Sequence, residues 1–221
     1  MSEHMALENL TVLDLTRVLA GPFCTMMLAD MGANVIKIEV PKGGDDTRGY
    51  PPFRAKNLNG ERESVYFANI NRNKKGITLN LKAPEGKEIF KELVKKADIV
   101  VENYRPGVMD KLGLGYDVLK EINPRIIYAA VSGFGCYGPY HLRPGYDILA
   151  QAMGGMMSIT GSKGGEPTRA GSALGDILGG LHVTIGILAA VNARTITGKG
   201  QRVDVSLMDS MIAATENTAL K

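Results

Sequence analysis

Residues 11–39 read TVLDLTRVLAGPFCTMMLADMGANVIKIE. Two segments of this stretch, TVLDL (11–15) and NVIKIE (34–39), predict strands, and the apolar segment between them predicts a helix that starts near Pro22. Pro is favoured in the first turn of a helix and Gly just after its last turn, so Gly32 is the expected end. The stretch therefore predicts a βαβ unit.

The same pattern continues along the chain. GITLNL (76–81) and DIVVEN (98–103) predict strands on either side of the helix APEGKEIFKELVKKA (83–97). Further strands are expected at 125–131 and 201–205, with a long apolar helix at 177–194 between them. The sequence thus predicts an α/β fold with an open, mainly parallel sheet flanked by helices, in which ligands bind at the carboxyl ends of the strands. The polar, Gly- and Pro-rich segment 41–64 is expected to be a functional surface loop.

The composition is that of a soluble globular protein and excludes several function classes. In 221 residues, Lys and Arg total 26 and Asp and Glu total 23, so the net charge of +3 argues against nucleic-acid binding but suits an anionic small ligand. Cys24 and Cys136 match no metal or redox spacing, so we expect reduced thiols, no metal and a cytoplasmic location. Neither a signal peptide nor an uninterrupted membrane span is evident, and no membrane partner is expected.

Several common catalytic motifs are missing from the sequence. The first strand leads into DLTRVLAGPF rather than G-x-G-x-x-G, so NAD and FAD binding are disfavoured. GSKGGEPT (161–168) and GKGQR (198–202) do not fit a P-loop, and no G-x-S-x-G elbow offers a Ser nucleophile. His182 lies in an apolar helix and is interpreted as a core histidine rather than a catalytic base.

The segment GSALGDILGG (171–180) places one carboxylate, Asp176, among apolar residues and glycines. A buried Asp without partners is costly, so such a residue is either hydrogen-bonded as a cap or kept for chemistry. Asp is a favoured helix N-cap and an apolar helix follows it here. On this stretch alone, capping and catalysis are equally good interpretations.

Five segments together carry a resemblance to a known family: they are LDLTRVLAGPFCTMMLADMGANVIKIE (13–39), NRNKKGITLNLK (71–82), ADIVVENYRPGVMDKLG (97–113), GYDILAQAMGG (145–155) and GSALGDILGG (171–180). The ordered set resembles the class III CoA-transferases, or CaiB/BaiF family, from about Leu7 to the last residue. The resemblance implies a Rossmann-like large domain. It also implies that CoA passes from an acyl-CoA co-substrate to a small free carboxylic acid, without a metal, NAD or FAD.

The resemblance also gives Asp176 a role, as the nucleophile that carries the acyl group as a mixed anhydride and then CoA as an aspartyl thioester. A carboxylate with a reference pKa of about 3.9 is ionised at neutral pH, and it becomes effective when it is held against a thioester with water excluded. The flanking glycines are expected to leave space for the bulky substrate. A helix that begins just after Asp176 would add N–H donors, so the two interpretations are compatible.

Other site residues follow from the same resemblance. Those expected to contact CoA are Val18, Leu19, Ala20, Leu79, Asn103, Tyr104, Lys111, Leu112 and Arg143. Those expected near the acyl or acceptor group are Arg17, Arg48, Tyr50 and Tyr146. Cations suit the phosphates of CoA, and apolar groups suit its pantetheine arm. Leu19 stands where formyl-CoA transferase has a Gln, so this site is less polar and its acid is not specified.

Two alternatives remain open. An alpha-methylacyl-CoA racemase of the same family uses a His where this chain has Tyr146, and Tyr is a poor base near neutral pH. A non-catalytic acyl-CoA-binding chain is the other alternative, because members of the family have about twice this length. They add a smaller domain with a glycine-rich loop over the Asp, and they form interlocked homodimers.

The length comparison also sets the expected domain boundaries. Residues 7–221 are expected to be the CoA-binding and catalytic large domain, truncated before the small domain, and to form a homodimer or to need a second half. A fragment, a natural truncation and a split enzyme are all compatible with the sequence. Residues 1–6 are expected to be a disordered N-terminus in which MSEHM is a remnant of cloning.

Overall fold

The computed structural model describes residues 4–54, 60 and 62–219. Its strands are β1 (Thr11–Asp14), β2 (Asn34–Glu39), β3 (Lys75–Thr78), β4 (Ile99–Glu102), β5 (Ile127–Ser132) and β6 (Arg202–Ser206). They form one sheet in the order β3-β2-β1-β4-β5-β6, and every pairing is parallel. The predicted open parallel sheet is confirmed. The strands from β1 to β3 follow one another toward one edge of the sheet, and those from β4 to β6 toward the other edge. In such sheets, ligands bind at this switch point between β1 and β4.

The helices are α1 (Ala20–Asp30), α2 (Val65–Ile70), α3 (Pro84–Val94), α4 (Val108–Lys111), α5 (Tyr116–Ile122), α6 (Asp147–Met153), α7 (Leu174–Thr197), α8 (Leu207–Ala214) and α9 (Glu216–Ala219). In the loop predicted at 41–64, a 3₁₀ turn covers Asp46–Gly49, and residues 55–59 and 61 lie outside the described part of the chain. Strand β3 ends at Thr78 rather than at Leu81, because the Asn80 side chain accepts the Lys82 N–H in a local turn.

Apolar side chains alternate between the two faces of the sheet. Val12 and Ile99 belong to one buried cluster, whereas Leu13 and Val100 belong to the cluster on the opposite face. This period of two is that of a pleated strand buried on both sides. Helices α1 and α7 cover the first face, and α3 and α5 cover the second. The sheet is therefore the middle layer of three.

Helix α7 approaches its neighbours closely through glycines. A Cβ at Gly180 would lie 2.7 Å from the carbonyl oxygen of Ala20, at the start of α1, and a Cβ at Gly179 would lie 2.4 Å from Leu207 Cδ2 on α8. Both glycines are buried. The expectation that these glycines leave space for substrate is therefore wrong, since the space is filled by protein.

The exposed face of α7 corrects another expectation. His182, interpreted from sequence as a core residue, is exposed, because the adjacent Val183 and Ile187 turn the opposite face of the helix to the sheet. By length and composition α7 is apolar enough to cross a bilayer, with 39% of its most apolar window buried. It packs against α1, α6, α8, β5 and β6, as the core helix of a globular domain does.

The sequence predicts disorder for residues 1–6, of which 1–3 lie outside the described residues. Met5 lies against the loop after α1, where a Cβ at Gly32 would be 2.4 Å from the Met5 Cβ. The Met5 N–H donates to a carboxylate oxygen of Glu8. The structure therefore gives Met5 defined neighbours.

The α1–α7 contact gives a stability prediction. Gly180→Ala should lower the free energy of unfolding by about 1–3 kcal/mol, because a backbone carbonyl cannot turn away from the added methyl group. Gly76→Ala is the matched control, since nothing lies within 4 Å of a Cβ at that exposed position of β3. Urea unfolding of both variants measures the difference. Equal stability of the two would contradict the close approach.

Candidate functional site

A cavity of about 330 Å³ opens at the carboxyl ends of β1, β4 and β5. Its walls come from the loops after these strands, from the loop before α6, and from the first turns of α1, α7 and α8. The lining residues are Arg17, Val18, Leu19, Ala20, Asp46, Asn103, Tyr104, Arg105, Pro106, Val108, Val131, Ser132, Gly133, Arg143, Pro144, Gly145, Tyr146, Asp176 and Leu207. The cavity thus lies at the switch point that the strand order creates.

The turn after β1 forms one wall and has a strained backbone. Val18 has a φ of 68°, which is a costly conformation for a β-branched residue. The amide of Asn103 holds the turn on one side, since its Oδ1 accepts the Arg17 N–H at 2.8 Å and its Nδ2 donates to the Arg17 carbonyl at 2.6 Å. Asp45 accepts the Val18 N–H at 3.2 Å. Strain of this kind persists where the surrounding contacts over-determine the backbone.

Buried ion pairs support this turn from below. Lys37 Nζ lies 2.9 Å from Asp45 Oδ2 and donates to the Thr16 carbonyl at 2.9 Å, and both side chains are almost fully buried. Lys74 pairs with Asp14 at 3.1 Å, beneath the same turn. Although burial opposes charge on Asp14, these two lysines and hydroxyl donors hold its pKa below the usual value. The turn is therefore anchored to the end of the sheet.

Asp176 lies in the first turn of α7, and its carboxyl group is largely buried. Burial, and secondarily the negative charge of Asp147, raise its pKa from 3.8 to about 7. Helix α7 begins at Leu174 with Ala173 as its N-cap, so the interpretation of Asp176 as the cap is wrong. Asp147 of α6 takes the capping role, because its Oδ1 accepts the Gly175 N–H at 2.8 Å.

The cavity also carries positive charge. Arg17, Arg105 and Arg143 line it, and the guanidinium of Arg143 lies over the Tyr140 ring at 4.2 Å from the centroid. Arg17 forms an ion pair with Asp46, and this contact raises the pKa of Arg17 above its ordinary value. These groups offer bidentate donors for phosphate or carboxylate oxygens.

The structure brings together most of the site residues predicted from sequence. Those that line the cavity are Arg17, Val18, Leu19, Ala20, Asn103, Tyr104, Arg143, Tyr146 and Asp176. Leu79 and Leu112 do not line it, and they pack with Tyr104 against the second core cluster. Lys111 is an exposed residue of α4, outside the cavity wall.

Two of the predicted substrate residues lie elsewhere. Arg48 binds Glu39 with two nitrogens, at 2.8 and 2.6 Å, and its guanidinium stacks on the Phe67 ring at 3.8 Å. Its donors are therefore directed to the protein itself. Tyr50 makes an edge contact with Tyr66, with 5.9 Å between ring centroids.

Sequence reasoning missed two groups near Asp176. One is Tyr66, whose phenol interacts electrostatically with the Asp176 carboxylate. Burial, and secondarily the negative charge of Asp176, raise the pKa of Tyr66 to about 12. Ser132 lines the cavity with a buried Oγ that finds no hydrogen-bond partner in the described part of the chain. Because neither residue belongs to a local catalytic motif, only the fold reveals them.

The described part of the chain holds no cluster of metal-ligating side chains. Within residues 4–54, 60 and 62–219, no group of three or more His, Cys, Asp or Glu side chains has the arrangement to hold a metal ion. The polar groups of the cavity are guanidiniums, phenols, an amide and carboxylates. Guanidinium, phenol and amide groups donate hydrogen bonds to anionic oxygen atoms.

Comparisons with known proteins relate the whole chain to one family. The sequence model of CoA-transferase family III matches residues 7–221. The chain is 48% identical over 219 residues to a succinyl-CoA:mesaconate CoA-transferase of Haloarcula marismortui, covering 96% of this chain and 54% of that protein. It is 50% identical over 207 residues to an acetyl-CoA:oxalate CoA-transferase of Acetobacter aceti, covering 93% of this chain and 52% of that protein.

Solved structures show the same similarity. A CaiB/BaiF family protein from Brucella suis superposes with a TM-score of 0.94 at 45% identity, covering 99% of this chain and 57% of that one. The chain spans about half the length of the curated relatives it matches.

The raised pKa of Asp176 predicts how stability depends on pH. A native carboxyl with a pKa of about 7 keeps its proton when the unfolded chain has lost it, so its contribution to the free energy of unfolding falls as pH rises from about 4 to 7. Asp176→Asn should therefore be about 2–4 kcal/mol more stable than the wild type at pH 8, and the gap should shrink steadily toward pH 5. Urea unfolding at several pH values measures this.

Asp176→Ala is the companion variant for this experiment. It removes the same titrating carboxyl group, but it also shortens the side chain. Its free energy of unfolding should therefore differ from the wild-type value by another constant amount, while the change of that difference with pH should match that of Asp176→Asn. A gap that does not change with pH in either variant would contradict the raised pKa.

Proposed function

Because the chain belongs to CoA-transferase family III, we propose that the protein transfers CoA from an acyl-CoA thioester to a free carboxylic acid, with Asp176 as the nucleophile. The observation that carries this proposal is the position of Asp176. Its largely buried carboxyl group, with a pKa raised to about 7, faces the cavity that the guanidiniums line. A more basic carboxylate is a better nucleophile once it is ionised.

The reaction then proceeds through two kinds of covalent intermediate. A carboxylate oxygen of Asp176 attacks the thioester carbonyl and the carbon–sulfur bond breaks. CoA leaves as a thiolate, and the acyl group stays on Asp176 as a mixed anhydride. The thiolate attacks the aspartyl carbonyl, which releases the first acid and forms an aspartyl-CoA thioester. The second acid attacks this thioester to form a new anhydride, and the thiolate then takes the second acyl group and frees Asp176.

The cavity has suitable groups for both parts of the CoA substrate. Arg17, Arg105 and Arg143 are candidates for the phosphates, and Val18, Leu19, Ala20 and Val108 offer apolar surface to the pantetheine arm. Asn103 contributes mainly by holding the turn, since its amide is hydrogen-bonded to the Arg17 backbone. Leu79, Lys111 and Leu112 remain proposed contacts for a part of CoA that extends beyond the cavity.

The acid itself is not specified by these observations. Two relatives of nearly equal similarity, at 48% and 50% identity, are named for mesaconate and for oxalate. Among the residues that line the cavity, Leu19 is apolar, while Arg17 and Tyr146 offer hydrogen bonds to an acyl or acceptor carboxylate. The proposal is therefore limited to a small carboxylic acid. No observation favours the racemase, because the residue before Asp147 is Tyr146, where the racemase has its proton-transferring histidine.

Three further parts of the proposal concern the whole protein. We propose residues 7–221 as the CoA-binding and catalytic large domain, which is the range that the family model matches. A homodimer is supported by the exposed apolar side chains of Leu149, Met153, Leu181, Ile185 and Ile212 on adjacent faces of α6, α7 and α8. A cytoplasmic location is supported by the free thiols of the two cysteines.

The nucleophile can be tested by trapping. After the protein is mixed with acyl-CoA and quenched with hydroxylamine, mass spectrometry should locate the modification on the peptide that contains Asp176. Asp176→Asn should slow acyl transfer at least about 10³-fold, or by about 4 kcal/mol, because an amide of the same size is a poor nucleophile. Asp117→Asn, at an exposed position of α5, is the control. An active Asp176→Asn variant, or an adduct on another residue, would contradict the proposal.

Substrate binding can be tested separately from turnover. Calorimetric titration should show that CoA binds with a dissociation constant below about 1 mM, or about 4 kcal/mol of binding free energy. Arg143→Ala should weaken this binding about three- to tenfold by removing a phosphate partner. Lys95→Ala, at an exposed position just after α3, should leave it unchanged. Identical affinities for the two variants would remove Arg143 from the CoA site.

A further inference from the structure

The first turn of α7 is capped by a residue of another helix. Its N-cap residue, Ala173, has no side-chain acceptor, and Oδ1 of Asp147 on α6 accepts the Gly175 N–H at 2.8 Å instead. An acceptor at this N–H normally comes from the N-cap side chain itself. Here the bond joins two helices, and Gly175 immediately precedes Asp176.

The capping carboxylate is itself held in place. Oδ2 of Asp147 accepts a hydrogen bond from Gln151 Nε2 at 2.8 Å, one turn further along α6. Gln151 is fully buried, and its Oε1 accepts the Ala170 N–H at 2.9 Å while its Nε2 also reaches the Ser172 carbonyl at 3.2 Å. Asp147 and Gln151 together therefore tie both α7 and the segment that leads into it to α6.

Helices α6 and α7 pack closely against each other at Gly175. A Cβ at Gly175 would lie 3.0 Å from the Ala150 Cβ and 3.2 Å from Asp147 Oδ1. An alanine at position 175 would require these neighbours to move back by a few tenths of an ångström, because the Asp147 carboxylate lies directly against the first turn that carries Asp176. A shift of either helix would change the position of both carboxyl groups.

We propose that Asp147 is the positioning residue of Asp176: it caps α7 from α6, and its negative charge beside the first turn sets the charge state of the nucleophile. The role of Asp176 as nucleophile comes from the proposed function, on which this inference rests. Asp147 is not one of the residues that line the cavity, and it acts through its hydrogen bond to the first turn of α7 and through its charge beside Asp176.

The electrostatic part of the proposal follows from two carboxylates in one packed site. After burial, Asp147 is the group that raises the pKa of Asp176. Charged groups of other elements also surround Asp176. The titratable or charged groups that act on Asp176 or line its cavity are Tyr66, Asp147, Tyr146, Arg17, Asp46, Tyr104, Arg105 and Arg143. Of these, Asp147 alone hydrogen-bonds the helix that bears Asp176 among the described residues.

Two variants separate charge from hydrogen bonding. Asp147→Asn keeps an acceptor for the Gly175 N–H and removes the charge, but its new N–H₂ group faces the Gln151 Nε2 donor. Combining Asp147→Asn with Gln151→Glu restores the bond between positions 147 and 151 and keeps the Ala170 bond, because the carboxylate at position 151 accepts from the new amide and from the Ala170 N–H. Only the longer contact of Gln151 Nε2 with the Ser172 carbonyl, at 3.2 Å, is lost. This double variant moves the charge one helical turn away from Asp176 and guards against simple misfolding.

The measurement is an NMR titration of the protein labelled with ¹³C at aspartate side-chain carboxyl groups. Asp176→Asn identifies the Asp176 resonance by its disappearance. In Asp147→Asn and in the double variant, the midpoint for Asp176 should move by about 0.5–1 pH unit to lower pH. Asp117→Asn removes an exposed charge on α5 and should leave it in place. A midpoint that stays unchanged in both folded Asp147 variants would overturn the proposal.

The rate of acylation by acyl-CoA, measured against pH in a single turnover, is the second readout. Its acidic limb should move with the NMR midpoint, which a merely structural role of Asp147 would not produce. An unmoved limb beside a moved midpoint would overturn the positioning role. If the wild type shows no acylation at all while the midpoint still moves, the nucleophile of the proposed function fails, and the control of Asp176 by Asp147 stands.

Discussion

The buried ion pair between Lys37 and Asp45 holds the turn on which the rest of the site depends. The two side chains are 2% and 0% exposed, and removing charges from water in this way is costly unless every lone pair is used. Additional hydrogen bonds offset this cost: Lys37 also donates to the Thr16 carbonyl, and Asp45 also accepts the N–H groups of Val18 and Thr47. The hydrogen bonds of this network fix the backbone of the turn, and their free energy compensates for the strain of the positive φ of Val18.

The turn and the candidate nucleophile come from distant parts of the sequence, and glycine contacts bring them together. The first residue of α1 follows the turn directly, and its carbonyl lies where a Cβ of Gly180 would be. The spacing between α1 and α7 is therefore fixed by direct backbone contact rather than by flexible side chains. Asp147 fixes the same first turn of α7 from the other side. Asp176 is consequently carried by a helix whose first two turns contact α6 at Gly175 and α1 at Gly180.

The sequence predicts those features that depend on local patterns. Period-two apolar strands and helix stop signals lead correctly to the parallel sheet, and the sheet brings most of the named site residues to one edge. Features that depend on contacts between distant segments are missed. Asp147 as the cap of α7, and the amide of Asn103 as a clamp on the turn, have no local signature. The exposure of His182 was missed for the same reason, since its neighbours are as apolar on the outer face of α7 as on the inner one.

The raised pKa of Asp176 also bears on the direction of the proposed reaction. An acyl-aspartyl anhydride has two carbonyl carbons that a CoA thiolate can attack. Attack on the acyl carbon expels the Asp176 carboxylate, whose pKa is about 7, whereas attack on the aspartyl carbon expels the substrate carboxylate, whose acid is typically stronger, with a pKa of about 4. The conjugate base of the stronger acid leaves more readily. In the proposed reaction, the environment that raises the pKa of Asp176 would therefore also make it the poorer leaving group. From the anhydride of either acid this favours the aspartyl-CoA thioester, so it promotes the first half of the exchange and slows the release of the second acyl-CoA.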